Sequence, residues 1–292
     1  MSDPLQSLLK FRFYVLTASL TLIFIGSGSL YLIAVTMKDL AREFGWPREV
    51  PSLAFSLQFI GGGIGGIMMG WLLDRVGAKV LPLIAATAIA TGSILTTVVT
   101  EKIELYGIYL LLFGFLGQGS LYAPLMANIS KWYERRRGMV VGIVSSGQSL
   151  SGIVWPPIFG YAITEVGWQY GFVGYGIIAA VVMLPMCLIM AKTPPSLETL
   201  QQAEALDGID SKGRPRRGAR KSEISLSYTG LQIALCCAIV GCCISMSLPL
   251  AHLVAHASDK GLPLTDAVTV LSVTLMAAFV ARCVGVGLLS DN

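Results

Sequence analysis

The chain of 292 residues is 54% hydrophobic and only 13% charged, and its mean hydropathy is +0.70. A soluble globular domain carries roughly 25% charged residues, so this composition excludes an ordinary soluble protein. The formal net charge of +4 is spread over short segments between long apolar runs, so it predicts no nucleic-acid-binding patch.

Long apolar runs follow one another along the chain, and each is long enough to cross a bilayer as an α-helix. They cover residues 13–37, 50–73, 80–100, 105–130, 138–164, 166–191, 224–258 and 267–290. This pattern predicts an all-α polytopic membrane protein. We expect an N-terminal six-helix transmembrane bundle over residues 1–192, a linker over 193–223, and a partial C-terminal bundle over 224–292.

Lysine and arginine are divided unevenly between the two sides of the membrane. Most of them lie at the N-terminus, in the loops after the second and fourth runs, and in the linker. Because basic loops stay in the cytoplasm, we expect the N-terminus and the 193–223 linker to be cytoplasmic. A multi-pass protein of the plasma (inner) membrane is the corresponding location. The basic cluster at 214–221 fits an anionic-lipid patch or a solvated hinge, and the hinge is favoured because topology already requires positive loops.

Neither a cofactor nor a metal site is predicted. The six cysteines all lie inside apolar runs, where they are best interpreted as small packing residues. No HExxH or GxSxG motif occurs, and no pair of acids lies within the apolar runs. These absences argue against an intramembrane enzyme, which needs such groups inside its spans.

A short polar break separates the second run from the third. The residues that define it are Gly70, Asp74, Arg75, Gly77 and Lys79. Glycines at both ends permit close approach or positive φ, and the charges remain at the wet interface, so the break predicts a tight turn. The pattern of Gly, three residues and Asp returns at 287–291. Such repeats build many transporters from two related halves, so about four further helices would complete the second half.

The segment 70–79 resembles the loop signature of the major facilitator superfamily, with Ala78 at a position where a basic residue is common. The segment 128–138, Asn-Ile-Ser-Lys-Trp-Tyr-Glu-Arg-Arg-Arg-Gly, resembles its monocarboxylate porter and oxalate–formate antiporter branch. Further matches to this branch are Glu43 to Trp46, Gly147, Pro156-Pro157, Gly167-Trp168, Pro249 to Val254 and Asp259 to Gly261. The resemblance covers nearly the whole chain and implies the major facilitator fold, with rocker-switch transport of a small organic anion.

Arg282 interrupts the last apolar run about two helical turns before Asp291. A charge at that depth is costly unless it faces a wet cavity or a partner, and no span contains an Asp or Glu. A guanidinium binds a carboxylate through two parallel hydrogen bonds, so an anionic substrate would satisfy it. The resemblance implies the same role for this position. The alternative is a structural arginine that reaches the interface or pairs with a further helix.

Two other residues are candidates for the substrate pathway. His252 lies near the end of the seventh run, where it could bond an anion or carry a proton, or simply be an interfacial histidine. Tyr122 lies in mid-span, where a buried phenol needs a hydrogen-bond partner, and the resemblance places a tyrosine of this helix near the substrate. Gln118 and Asn128 are interpreted as residues that form hydrogen bonds between helices.

The charged loops predict a conformational latch. We expect Asp74, Arg75 and Lys79 to form a cytoplasmic charge network with Arg135, Arg136 and Arg137. It would stabilise the outward-facing state and break when the halves rock apart.

Proton coupling stays open at this point. The resemblance implies an Asp one turn before the arginine in animal porters, and that position is Ala278 here. The first helix also lacks the lysine that those porters carry.

The favoured function is a secondary active transporter of a small organic anion, with a monocarboxylate as the first choice. We expect a monomer in the lipid bilayer. One alternative is a superfamily exporter of drugs or other small solutes, which would carry an acid in its first or fourth helix. The other is a shortened membrane protein that does not transport.

Overall fold

A computed structural model of the protein describes residues 4–133, 137–192, 194–196, 199 and 228–290. Within the helices, the described side chains exclude those of residues 4–9, 228, 235, 239–240, 242–246, 248–249, 251 and 281–290. Two of the predicted latch residues, Arg135 and Arg136, and the basic cluster at 214–221 lie outside the described residues.

The described chain is built from helices. They are α1 (Pro4–Gly26), α2 (Gly28–Glu43), α3 (Glu49–Val76), α4 (Val80–Thr96), α5 (Lys102–Gly107), a π-helical segment (Ile108–Gln118), α6 (Gly119–Ser130), α7 (Arg137–Val166), α8 (Trp168–Ile189), α9 (Tyr228–Asp259) and α10 (Leu264–Ser290). The protein is therefore an all-α membrane protein, as the apolar runs predict.

Five helical stretches in the described part of the chain are long and apolar enough to cross a membrane. They are Lys10–Glu43, Glu49–Val76, Lys102–Ser130, Arg137–Val166 and Trp168–Ile189. Three shorter apolar helices, Val80–Thr96, Thr229–Ala238 and Leu264–Val280, fall within the remaining predicted runs.

Successive spans are joined by short loops and therefore run in opposite directions, which gives the molecule two faces. The basic face carries Lys10, Arg75, Lys79, Lys131 and Arg137. The opposite face carries Lys38, Arg42, Arg48, Asp259 and Lys260. Among the first six spans, α3 packs along the π segment and α4 along α8. Of the last two helices, α10 packs along α7, and α9 packs on α10 and α2.

The first span is broken, whereas the sequence predicts one uninterrupted run over 13–37. Helix α1 ends at Gly26 and α2 begins at Gly28, with Ser27 between them. Two glycines around a serine weaken the helix at this point, since both residue types have low helix propensity. The break exposes main-chain carbonyl groups inside the apolar part of the molecule.

Side chains from three other helices satisfy these carbonyls. Trp155 Nε1 of α7 donates to the carbonyl oxygen of Phe24 at 3.2 Å, and Tyr175 Oη of α8 donates to that of Ile25 at 2.6 Å. Gln118 Nε2 donates to the carbonyl oxygen of Gly26 at 3.2 Å, the interhelical bond expected of that residue. Because no water is present in a bilayer core, unpaired carbonyls there would each cost several kcal/mol, roughly, so these donors make the break tolerable.

Helix α3 and the π segment approach closely because glycines line their contact. A Cβ atom built on Gly61 would lie 2.1 Å from the carbonyl oxygen of Leu110, and one on Gly65 would lie 2.3 Å from that of Phe115. No side chain larger than hydrogen fits between these backbones. Glycine-mediated contact of this kind replaces the hydrophobic driving force that is missing between helices in lipid.

Candidate functional site

The three predicted pathway residues lie on three helices. Tyr122 is on α6 and is 38% exposed, and His252 is an exposed residue of α9. Arg282 lies within α10, eight residues and about 12 Å before the helix end at Ser290. The side chain of Arg282 is outside the described groups, so its contact with His252 or Tyr122 stays a prediction. Helices α9 and α10 pack on each other, which brings the backbones that carry His252 and Arg282 into one pair.

On the basic face, Asp74 at the end of α3 forms an ion pair with Lys131, which follows α6. The distance between Lys131 Nζ and Asp74 Oδ1 is 3.7 Å, and both side chains are exposed. Lys131 is not one of the predicted latch residues, although it belongs to the same basic loop. An exposed pair contributes little free energy by itself, about 0–1 kcal/mol. The pair links the second and fourth spans within the first six.

The neighbouring predicted latch residues contact other groups. The guanidinium carbon of Arg75 lies 3.7 Å above the ring centroid of Trp71, and Arg137 Nε donates to the carbonyl oxygen of Tyr133 at 3.5 Å. Gly77 has φ of +78° and ends α3, so the turn does require a glycine there. A Cβ atom on Gly70 would meet no other atom within 4 Å, and Lys79 is exposed just before α4.

On the opposite face, Asp259 at the end of α9 is held by two cations of the first six spans. Lys38 Nζ of α2 lies 2.6 Å from Asp259 Oδ1. Arg48, just before α3, makes two bonds: Nη1 to Oδ2 at 2.5 Å and Nη2 to Oδ1 at 2.9 Å. The hydrogen bonds from Arg48, and then those from Lys38, lower the pKa of Asp259 well below its ordinary value. We call these three residues the opposite-face ion cluster.

Sequence reasoning missed the opposite-face ion cluster. Lys38 and Arg48 entered it only as basic residues of the less basic side, and Asp259 only as part of a family pattern. Arg48 and Asp259 are 211 residues apart, so no local spacing connects them. The one available signal was that Asp259 is the first acid after the seventh apolar run, at the face where the loop after the first span also lies.

The platform that carries the two cations is fixed by a second set of contacts. Trp168 Nε1 donates to Glu43 Oε2, and Gln169 Nε2 donates to Glu43 Oε1 at 3.0 Å. These bonds tie the end of α2 to the start of α8. The ring of Phe44 stacks on Trp46, with centroids 4.4 Å apart. The loop between α2 and α3 therefore has a defined shape at the position of Arg48.

Among the described residues, no group of three or more His, Cys, Asp or Glu side chains is arranged to hold a metal ion. The chemistry of the described site is that of hydrogen bonds and ion pairs between helices.

Comparison with known proteins agrees with this architecture. The family model described as Major Facilitator Superfamily matches residues 18–292. The chain is 27% identical over 251 residues to MFS-type transporter pytF of Aspergillus terreus, an alignment that covers 86% of this chain and 76% of that protein. It is 25% identical over 277 residues to human Monocarboxylate transporter 11, which covers 91% of this chain and 53% of that protein.

A shorter match is to Agnestins efflux protein AgnL12 of Paecilomyces divaricatus, 30% identical over 119 residues, 40% of this chain and 26% of that protein. The chain thus spans about three quarters of one of these relatives and about half or less of the other two. The match of the family model over residues 18–292, together with the all-helical membrane architecture, shows that the chain belongs to the Major Facilitator Superfamily.

Proposed function

We propose that the protein is a secondary active transporter that carries a small organic anion, with a monocarboxylate as the best-supported class. The observation that carries this proposal is Arg282, the one charged residue in the apolar runs, within a helix of the last pair. Since no span contains an acid, the positive charge has no carboxylate of these spans to pair with. Similarity to human Monocarboxylate transporter 11 over 91% of the chain supports the same substrate class.

In this proposal Arg282 binds the substrate carboxylate through two parallel hydrogen bonds. Tyr122 on α6 and His252 on α9 contribute further hydrogen bonds from either side of the pathway. His252 is also the residue with which a co-transported proton could be exchanged, since a histidine titrates near neutral pH.

Residues 1–192 form the N-terminal six-helix bundle of the proposed carrier, 193–223 its linker, and 224–292 the beginning of its second bundle. The basic face lies in the cytoplasm of the cell, in accordance with the distribution of lysine and arginine. The Asp74–Lys131 pair and the arginines of its loop act there as a conformational latch. The carrier works as a monomer in the bilayer.

The test is uptake of labelled lactate into proteoliposomes. Arg282→Ala removes both hydrogen bonds to the carboxylate and should lower uptake by about tenfold or more. Arg282→Lys should recover little, because one ammonium cannot reproduce the planar fork. Arg42→Ala is the matched control, since Arg42 is an exposed arginine at the end of α2 and should leave uptake unchanged. Full uptake by Arg282→Ala, with normal reconstitution, would exclude the assigned role.

A second candidate is export of an organic product, favoured by the match to Agnestins efflux protein AgnL12. The two candidates differ in direction and substrate size. Transport of lactate in both directions across the proteoliposome membrane supports the first candidate. Absence of lactate transport, together with transport of a larger aromatic solute, supports the second.

A further inference from the structure

The opposite-face ion cluster joins two parts of the chain that a rocking carrier must separate. Lys38 and Arg48 belong to the first six spans, whereas Asp259 ends α9, the first of the last two helices. We propose that this cluster is a closing contact that holds the opposite face shut and must break for that face to open. This inference rests on the proposed alternating-access transport.

The geometry of the cluster is specific for one carboxylate. Arg48 presents two N–H groups to the two oxygens of Asp259, at 2.5 and 2.9 Å, and Lys38 adds a third bond to Oδ1 at 2.6 Å. Planar two-point recognition of this kind has a narrower tolerance for position than a single ion pair. A shift of α9 by a few ångströms therefore breaks all three bonds together.

The surrounding packing shows that the face is closed in this conformation. Val254 and Ala255 of α9 line a small cleft together with Ala34 and Val35 of α2, directly beside Lys38. Val254 is only 2% exposed. Contact between α9 and α2 thus continues from the ion cluster into the apolar part of the molecule.

The second of the last two helices is seated on the same side. A Cβ atom on Gly160 of α7 would lie 3.0 Å from Val268 of α10, and one on Gly152 would lie 2.3 Å from Leu275. Both contacts place α10 tightly on α7 over the half of α10 nearer the opposite face. Opening of this face requires α9 and α10 to move away from α2 and α7, and the ion cluster lies at the outer edge of that contact.

Other charged groups at this face do not replace Asp259. Glu43 is engaged by Trp168 and Gln169, which hold it on the α8 side. Asp39 lines the cleft with Lys38, but it belongs to α2 itself and so cannot join α2 to α9. Asp259 is the carboxylate that links the first six spans to α9 among the described ion pairs.

The test measures how fast a membrane-impermeant maleimide labels a cysteine introduced as Val254→Cys, in a protein whose six cysteines are replaced by serine. The closed face should label slowly. Asp259→Asn or Arg48→Gln should raise the labelling rate about fivefold or more, because an exposed but bidentate and doubly paired carboxylate exceeds the contribution of a single surface pair. The control Asp266→Asn removes an exposed acid at the start of α10 and should leave the rate unchanged.

Charge reversal keeps the result interpretable if single variants are impaired for other reasons. The pair Lys38→Gln and Arg48→Asp places like charges opposite each other and should label fast. Adding Asp259→Arg restores an attractive pair and should return the rate toward the slow value. Equal labelling rates in the double and triple variants, or no change with Asp259→Asn, would overturn the proposal.

Failure of this proposal is distinguishable from failure of the proposed function, because labelling requires no substrate. Loss of lactate uptake in Arg282→Ala with unchanged labelling in Asp259→Asn leaves transport standing and removes the closing contact. Faster labelling in Asp259→Asn with no lactate uptake leaves the closing contact standing and removes the substrate assignment.

Discussion

Alanine at Gly65 of α3 should destabilise the protein, although alanine is the better helix former. The added Cβ would lie 2.3 Å from the carbonyl oxygen of Phe115 and 2.8 Å from its Cα. These are backbone atoms of the π segment and cannot rotate away. Ordinary contact begins at 3.4 Å, so α3 and the π segment would have to separate by about 1 Å.

The magnitude follows from that separation. A gap of about 1 Å removes about a quarter to a half of the dispersion energy between facing atoms. Overpacking of this kind costs about 1–3 kcal/mol, and alanine recovers roughly 0.5–1 kcal/mol through its higher helix propensity. The net loss is about 1–2 kcal/mol, which corresponds to a fall in melting temperature of about 3–8 °C for a chain of this size.

Thermal unfolding of the purified protein in detergent, followed by tryptophan fluorescence, measures this loss. The matched control is Gly63→Ala on the same helix, because a Cβ at Gly63 meets no atom within 4 Å. That variant should melt at the same temperature as the parent or slightly higher. A similar fall in both variants, or none in Gly65→Ala, would refute the argument from backbone contact.

Two further predictions concern the break in the first span and the opposite-face ion cluster. Tyr175→Phe leaves the Ile25 carbonyl without its 2.6 Å donor and should cost about 1–3 kcal/mol in thermal unfolding, whereas Tyr170→Phe, at an exposed position of α8, should cost nothing measurable. The pKa of Asp259 is lowered, so its contribution to closure is present above the ordinary value of 3.8 and is lost only as pH falls through the lower value of the closed state. Labelling of Val254→Cys should therefore stay slow from about pH 8 to about pH 5, and acceleration near neutral pH would contradict this sign.

The apolar runs predicted the helical spans, because the need to cover a bilayer thickness is written in local hydropathy. The positive φ of Gly77 was likewise foreseeable from a short polar turn between two spans. Motif spacing pointed to the family, which the match over residues 18–292 establishes.

Contacts between distant segments were not foreseeable in the same way. The break at Ser27 is tolerated only because Trp155, Tyr175 and Gln118 reach its carbonyls from other helices. Glycine abundance indicated close helix packing, but it did not show that Gly61 and Gly65 face the π segment. Which residues meet across helices depends on rotation and register, and neither is encoded in the hydropathy of one segment.

The sequence by itself determined that this is a helical membrane protein of the Major Facilitator Superfamily, and it singled out Arg282 within the last apolar run. Only the tertiary structure showed that Asp259 is held by Lys38 and Arg48. Hydropathy and motifs are properties of neighbouring residues, which a linear chain displays directly. An ion pair between residues 211 positions apart exists only after the helices have packed, because packing alone brings the two charges within bonding distance.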